Sequence, residues 1–568
     1  MISRRKPIFC ALNECKNDRM LSMNIEEKLL KLISDTVKSK FNLELPEGMV
    51  MIEIPKDKSN GDYSTNIAMR LTKQLGRKPQ DIASDLVEEL GKDKFIEKVS
   101  VAGPGFINFI VSKGELSSVI TNVLKQNKDY GSQDKYKDVT IDVEYVSVNP
   151  TGDIHPGHAR GAAVGDSLTR MLAKLGYKVT REYYVNDAGN QIDNLGKSIY
   201  VRYHELFNVD MPMPEDGYHA KDIIDIAQSI KDTNGDKYLN VPYEECKQFF
   251  KEYGTQVELD KLKADLDLYR VHFDVWTSEK TLYSRGLVQQ ALDKLKANDM
   301  LYEAEGATWL KTTKYGDDKD RVIIKSDGSY TYLTPDIAYH LDKFNRNHEF
   351  LIDILGADHH GYVPRLKAAI QALGYKPNNL DVIIVQMVRL IKDGEEFKLS
   401  KRSGKAIALR DIIEEAGVDA TRYFFVSKAP NTQMDFDIDM ATKQSNDNPV
   451  YYVQYAHARM CSILKNDITY DVLDFYDLIK EEKETLLLKH LNEFPGCIEE
   501  CVEYKEPHRM CNYVYKLAQL FHSFYNDCKV IDKDNMDLTK QRLALVKACQ
   551  IVLANGLDLI GVTAPEKM

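Results

Sequence analysis

The sequence predicts a multidomain α/β protein in which a doubly wound central domain lies between a small N-terminal α+β domain and a C-terminal all-helical bundle. Three observations carry this expectation. Residues 139–184 read strand, turn, helix, strand, the opening of a sheet whose ligands gather beyond the carboxyl ends of its strands. The first hundred residues mix helical and strand periodicity around a Gly103-Pro104-Gly105 break. After about residue 447 the apolar periodicity is helical to the end.

Ile25, Leu29, Leu32, Ile33 and Val37 recur at helical spacing and predict the first helix. Further helices are expected over 67–75 and 82–90, and strands over 98–102 and 106–111 on either side of the glycine break. The polar stretch 125–137 reads as a linker. In the central domain, Ile141, Val143 and Tyr145 share one face of a strand over 139–148. A turn follows at 149–153, then a helix over about 158–175 and a strand over 177–184. Charged, helical residues from about 199 to 298 look inserted, and α/β character returns at 320–324, 350–355 and 382–387. Apolar periodicity over 450–464 and 513–524 places helices in the last domain.

A length of 568 residues is too much for one core, so two to four domains are expected. With 43% hydrophobic and 29% charged residues, the chain is neither collagen-like nor disordered. Its apolar runs are strand-sized, too short for a membrane span, which makes the cytoplasm the expected compartment. Nine scattered cysteines without a CxxC pair suit a reducing environment. Cys497 and Cys501, with His508 and Cys511 downstream, could frame a metal site, but buried helix cysteines are the better reading, and no protein-built metal site is expected. A net charge of -11 argues against a non-specific nucleic-acid coat, not against a local basic groove. Residues 1–22 do not read as a secretory signal, because Asn13, Glu14 and Lys16 interrupt the apolar piece. A genuine extension and an over-extended start before Met23 both fit.

Two motifs carry chemistry. His155-Pro156-Gly157-His158 lies between the first strand of the central domain and its helix, where glycine admits a flat ligand and imidazoles can donate to phosphate. The helix start adds amide donors and positive dipole. Alone, the tetrapeptide fits an ordinary turn equally well. Lys398-Leu399-Ser400-Lys401-Arg402-Ser403-Gly404-Lys405 could clamp a polyphosphate, although a charge run by itself is more often a solvated loop. No GxxxxGK[ST] accompanies either motif, so neither belongs to a P-loop.

Taken together, the motifs resemble the paired HIGH and KMSK signatures of the class I aminoacyl-tRNA synthetases, whose catalytic domain is Rossmann-type. The surrounding words resemble the arginyl-tRNA synthetase family. They include Asn149-Pro150-Thr151-Gly152, Tyr184-Val185-Asn186-Asp187-Ala188-Gly189-Asn190-Gln191, Tyr332-Leu333-Thr334-Pro335-Asp336 and Gly356-Ala357-Asp358-His359-His360-Gly361. Gly61-Asp62-Tyr63-Ser64-Thr65-Asn66 lies upstream, and Asn448-Pro449-Val450-Tyr451-Tyr452 opens the last domain. The resemblance covers essentially everything from Met23 onward. Pro156 stands where the class name has isoleucine, and Lys401 is retained where many arginine enzymes lack it. Another class I synthetase or a nucleotidyltransferase of the same fold is one alternative; a tRNA-binding paralogue without activity is the other, and intact His155, His158 and Lys401 count against the latter.

The resemblance implies ATP-dependent activation of L-arginine and transfer to the terminal adenosine 2′-hydroxyl of arginine tRNA, by a monomer. It implies an N-terminal tRNA-binding domain over 23–125, a catalytic domain over 138–446 and an anticodon-binding domain over 447–568. It casts His155, His158, Lys398 and Lys401 as catalytic, with Gly157 and Ser400 joining them around ATP and Mg2+ carried in with the nucleotide. Arginine is assigned to Glu144, Ser147, Asn149, Tyr332, Asp336 and Asp358. A guanidinium offers five planar donors and wants carboxylates; Asp336 is the better candidate for that fork, and Glu144 for the α-amino group. Tyr63, Asn66 and Asn108 are candidates for the tRNA elbow. Tyr452, Tyr455 and Arg459 are candidates for the anticodon, with core packing an equal alternative for each tyrosine.

Overall fold

The computed structural model describes residues 25–46, 48–55, 57–397 and 407–568. The extension over 1–22 and the expected phosphate ligands Lys398, Ser400 and Lys401 lie outside the described residues.

Five parallel strands make the central sheet: β1 (Thr140–Glu144), β2 (Lys178–Val185), β3 (Val275–Ser278), β4 (Phe350–Gly356) and β5 (Leu380–Val385). Their order is β5-β4-β1-β2-β3. The chain runs outward from β1 and then returns to lay β4 on the other edge of β1. Strand order therefore reverses at β1 and β4, and the crevice beyond their carboxyl ends is where such sheets receive ligands. Helix α1 (Pro156–Lys174) links β1 to β2 and is buried along most of its length. A Cβ at Gly165 would stand 2.4 Å from the Tyr145 ring, so glycine is what lets α1 lie this close to the strand.

The structure corrects the sequence reading in three places. The strand expected over 139–148 stops at Glu144. Beyond it, Ser147 donates its N–H to the Tyr145 carbonyl at 3.0 Å, closing a γ-turn with φ 73° at Val146 and φ 43° at Ser147. A β-branched residue in that conformation is strained by about 1 to 3 kcal/mol. Within the segment read as inserted, helices Asn190–Glu205, Lys221–Asn234 and Tyr243–Leu268 are present and share a core around Ile199, Tyr203 and Phe250. The same segment also supplies β3, whose four residues are too short for a period to show. Finally, Arg321–Ile324 does not join the main sheet. It pairs antiparallel with Ala307–Leu310, because a preceding hairpin offers it a nearby edge.

The N-terminal module follows expectation: helix Ile25–Phe41, and an antiparallel sheet containing Tyr63–Thr65, Ile96–Ala102 and Phe106–Val111. Helices Pro449–Leu464, Glu482–Asn492, Phe494–Tyr504, His508–Asp527 and Met536–Leu559 form the C-terminal bundle, where Cys501 and Cys511 are buried free thiols. The polar stretch 125–137 is pinned rather than loose: Tyr130 donates to the Leu491 carbonyl at 2.9 Å and Gln133 to Glu499 at 2.5 Å. Arg422, with no exposed surface, pairs with Asp166 of α1 and donates to the Ile560 carbonyl, fastening the end of the bundle to that helix. No described helix is long and apolar enough to cross a membrane.

Candidate functional site

His155 is the N-cap of α1. Its Nδ1 accepts from the backbone N–H of Gly157 at 3.1 Å and of His158 at 3.3 Å. Two first-turn amides expected to face an anion are thus satisfied by the histidine itself. An accepting Nδ1 places the ring proton on Nε2, which is left as a donor. A Cβ at Gly157 would stand 3.0 Å from Cε1 of His155, so the glycine makes room for the folded-back ring. The His158 ring stacks on it at 3.7 Å. Burial lowers both pKa values, that of His158 to about 4 with a further push from His155, so both rings are neutral near pH 7. The backbone N–H of Leu409 reaches the Ile154 carbonyl at 2.7 Å, joining the start of helix Leu409–Val426 to the residue before the histidine turn.

Asp358 does not join the other carboxylates. Its side chain is 82% exposed beside His359, and its charge acts on His155 and His158.

At the end of β1, Glu144 is 7% exposed. Its Oε2 accepts from Lys343 at 2.8 Å, and its Oε1 from the Ser147 hydroxyl at 3.0 Å. The Ser147 oxygen in turn accepts the Tyr184 N–H at 3.1 Å, which holds the strained turn in place. Nearby, Asn149 donates to Gln191 at 2.7 Å. Asp336 sits in the first turn of α2 (Leu333–Asn345), where Tyr362 donates to its Oδ2. Burial raises Asp336 to about 6, against the opposing hydrogen bond from Tyr362.

Glu279, the first residue of the short helix beyond β3, is also pushed up by burial. A hydrogen bond from Tyr184 opposes the shift, and the charges of Asp336 and Asp187 add to it. Among the described residues neither Asp336 nor Glu279 forms an ion pair, whereas Glu144 is already neutralised by Lys343. Tyr332, expected in this group, is 87% exposed at the N-cap of α2 and lies outside it, because the N-cap stands at the solvent-exposed start of the helix. Sequence reasoning missed Glu279, Tyr362 and Lys343. The signal that could have found Lys343 is its spacing, seven residues after Asp336 on one helix face.

In the bundle, a cavity of about 990 Å³ is lined by Tyr455, Arg459, Lys465, Tyr525, Lys529 and Met568 among others. The Arg459 guanidinium lies 4.3 Å from the Tyr525 ring centroid and donates to the Tyr455 hydroxyl at 3.3 Å. Tyr452 packs instead on Tyr515 and His522. The N-terminal candidates fare differently. Tyr63 is 3% exposed, and buried Asn108 accepts from Ser64 at 2.7 Å; both are spent on the fold and offer tRNA no surface. Asn66 is the N-cap of Ile67–Leu75 without a capping bond, and its buried Oδ1 has no partner among the described residues.

The model of the class I tRNA synthetase (R) catalytic domain matches residues 119–456, and that of the arginyl tRNA synthetase N-terminal domain matches residues 25–111. The chain belongs to the arginyl-tRNA synthetase family. The model of the DALR anticodon binding domain matches residues 453–568 of this class I synthetase. The enzyme is 54% identical over 524 residues to the arginine–tRNA ligase of Shouchella clausii, covering 91% of this chain and 94% of that one. It is 51% identical to the Bacillus subtilis ligase, over 96% of this chain and 100% of the relative. The solved Thermus thermophilus arginyl-tRNA synthetase superposes with a TM-score of 0.74 at 22% identity, covering 96% of this chain and 100% of that one, a likeness of fold.

Proposed function

We propose that this arginine–tRNA ligase forms arginyl-adenylate in the crevice beyond β1 and β4 and then passes arginine to the terminal adenosine 2′-hydroxyl of its tRNA. The observation that carries the reading is the half-buried pair Asp336 and Glu279, two carboxylates raised by desolvation and, among the described residues, in no ion pair, beside the neutralised Glu144. A planar guanidinium fits between them and removes the cost of their burial. Glu144, Ser147 and Asn149, on the β1 side, then take the α-amino end, which sets the arginine carboxylate toward the histidine turn.

ATP lies with its base near Gly157 and its α-phosphate beside His155 and His158. Their neutral rings bring N–H donors to the oxygens that gain charge as the arginine carboxylate attacks in line. Lys398 and Lys401, with Ser400, take the leaving pyrophosphate, and Mg2+ arrives bound to ATP. No covalent enzyme intermediate is required; positioning and charge stabilisation suffice.

Residues 23–125, 138–446 and 447–568 act as tRNA-binding, catalytic and anticodon-binding domains of a cytoplasmic monomer. The cavity between Tyr455, Arg459 and Tyr525 accepts an anticodon base, with aromatic faces for stacking and cations for phosphate. Activation requires tRNA in place. Pyrophosphate exchange into ATP is therefore expected with arginine and cognate tRNA together, and full exchange with arginine alone overturns the tRNA requirement. Failure to charge tRNA with arginine at all overturns the whole scheme.

A further inference from the structure

Helix α2 carries His340 and Lys343 one and two turns past Asp336, and both side chains lie beneath the arginine pocket. His340 is 4% exposed. Its Nδ1 lies 2.7 Å from the Asp336 backbone carbonyl oxygen, and its Nε2 lies 2.8 Å from Oδ2 of Asp353. Neither partner has a hydrogen to give. One is a carbonyl; the other is a carboxylate that burial alone would raise, but that Lys343 and His340 together hold below its usual range. A neutral imidazole has a single N–H, which would leave one ring lone pair facing an oxygen lone pair. Two donor bonds make His340 an imidazolium.

Lys343 has no exposed surface. Its Nζ stands 2.8 Å from Oε2 of Glu144, 3.2 Å from Oδ1 of Asp353 and 3.5 Å from Oδ1 of Asp142, over the Tyr339 ring at 4.3 Å. Asp353 thus ties two buried cations together. Each cation also reaches the pocket: His340 through the backbone of Asp336, Lys343 through the carboxylate of Glu144.

We propose that Lys343 and His340 are positioning residues for arginine, a pair of buried cations joined through Asp353 that fixes the Glu144 carboxylate and the first turn of α2 for the two charged ends of the substrate. The proposal rests on the reading that Glu144 and Asp336 bind arginine. Its physical basis is that a pocket for two cations must crowd carboxylates out of water, where unpaired they would repel each other and take up protons. Fixed cations behind the pocket offset that repulsion before substrate arrives and hold the groups in place. A carboxylate accepts about four hydrogen bonds, so Glu144 can hold Lys343 and Ser147 and still receive an ammonium. Without Lys343 it keeps only Ser147 among these partners, and it is free to turn away.

The test is a double-mutant cycle read in tRNA charging, with arginine KM and ATP KM measured for Glu144→Gln, Lys343→Met and the double variant. Each single variant is expected to raise arginine KM about tenfold or more while ATP KM stays within about twofold. The double variant should be no worse than the more damaging single, because both changes remove one interaction. If Glu144→Gln leaves arginine KM unchanged, Glu144 is no arginine ligand, and the underlying reading falls with the proposal. If Glu144→Gln raises it but Lys343→Met does not, or if the two effects multiply, the reading stands and the proposal is overturned. Should Lys343→Met fail to fold, Asp353→Asn is measured in its place, since it is isosteric, buried and removes the charged acceptor shared by both cations. The same selective rise in arginine KM is expected, and a wild-type value overturns the proposal.

Discussion

Tyr362, in the turn beyond β4, donates its phenolic hydrogen to Oδ2 of Asp336 in the first turn of α2, tying the two walls of the crevice together. The bond fixes the plane of the carboxylate, and among the described residues no hydrogen bond occupies Oδ1. Asp336→Asn keeps this shape and removes the charge. Breaking one side of a buried charged pair costs about 3 to 5 kcal/mol, so kcat/KM for arginine should fall roughly 10²- to 10⁴-fold. Citrulline, an uncharged isostere, is the control. The wild type should reject it strongly and the variant much less; an unchanged arginine-to-citrulline ratio would make Asp336 structural.

Because burial raises Asp336 to about 6, arginine must bind the ionised form and release a proton below that pH. The sign follows directly. As pH falls through about 6, arginine KM should rise, approaching tenfold per unit, while ATP KM follows a different curve. Steady-state kinetics between pH 5 and 8 would show this, and Asp336→Asn should flatten the arginine curve. Linkage adds a second expectation: a carboxyl raised above its unfolded value of 3.8 favours folding less as pH climbs from about 4 to 6.

His158 works in the opposite sense. Its folded pKa of about 4 lies below the unfolded value of 6.5, so the native state binds fewer protons in that window and gains stability as pH rises through it. His158→Gln cannot be protonated there. Melting temperatures should show the variant gaining on wild type at pH 5 relative to pH 8, alongside a loss of activity. An equal difference at both values would remove the buried neutral ring from the account.

The cavity in the bundle predicts a different kinetic signature. Arg459→Ala should raise tRNA KM several-fold and make its salt dependence shallower by about one unit of log–log slope, if one phosphate contact is lost. At saturating tRNA, kcat should stay near wild type. A change confined to arginine or ATP kinetics would place the tRNA contact elsewhere.

What the sequence disclosed, and what it withheld, follows from where each signal lives. The β1–turn–α1–β2 unit was legible because its periodicity and the His-Pro-Gly-His word are local. Asp336 was singled out through the same kind of word. Lys343 and His340 were not, because on a helix containing Asp336, Asp342 and Lys343 they read as a solvated polar face. Only β1 and β4 closing over that face reveal it as interior. Glu279 was hidden by the brevity of β3, and Tyr63 was misread because alternation cannot say which side of a small sheet another domain covers. Val146 carried no signal at all, since its strained turn is imposed by Ser147 bonding to Glu144 and to the Tyr184 backbone.

The strand order has a consequence for the chain as it is made. β1 finds β2 almost at once, but its other edge must await β4, roughly 200 residues further along. At about 5 to 20 residues per second, that is some 10 to 40 s during which a central apolar strand offers open backbone donors and acceptors. Over the same interval Glu144 is without Lys343, and the pocket's carboxylates are without either buried cation. The inserted helices, with a core of their own, are synthesised during this wait and can fold within it. The nascent enzyme is thus most exposed to aggregation midway through its synthesis, when slowed elongation or a missing chaperone would do the greatest harm.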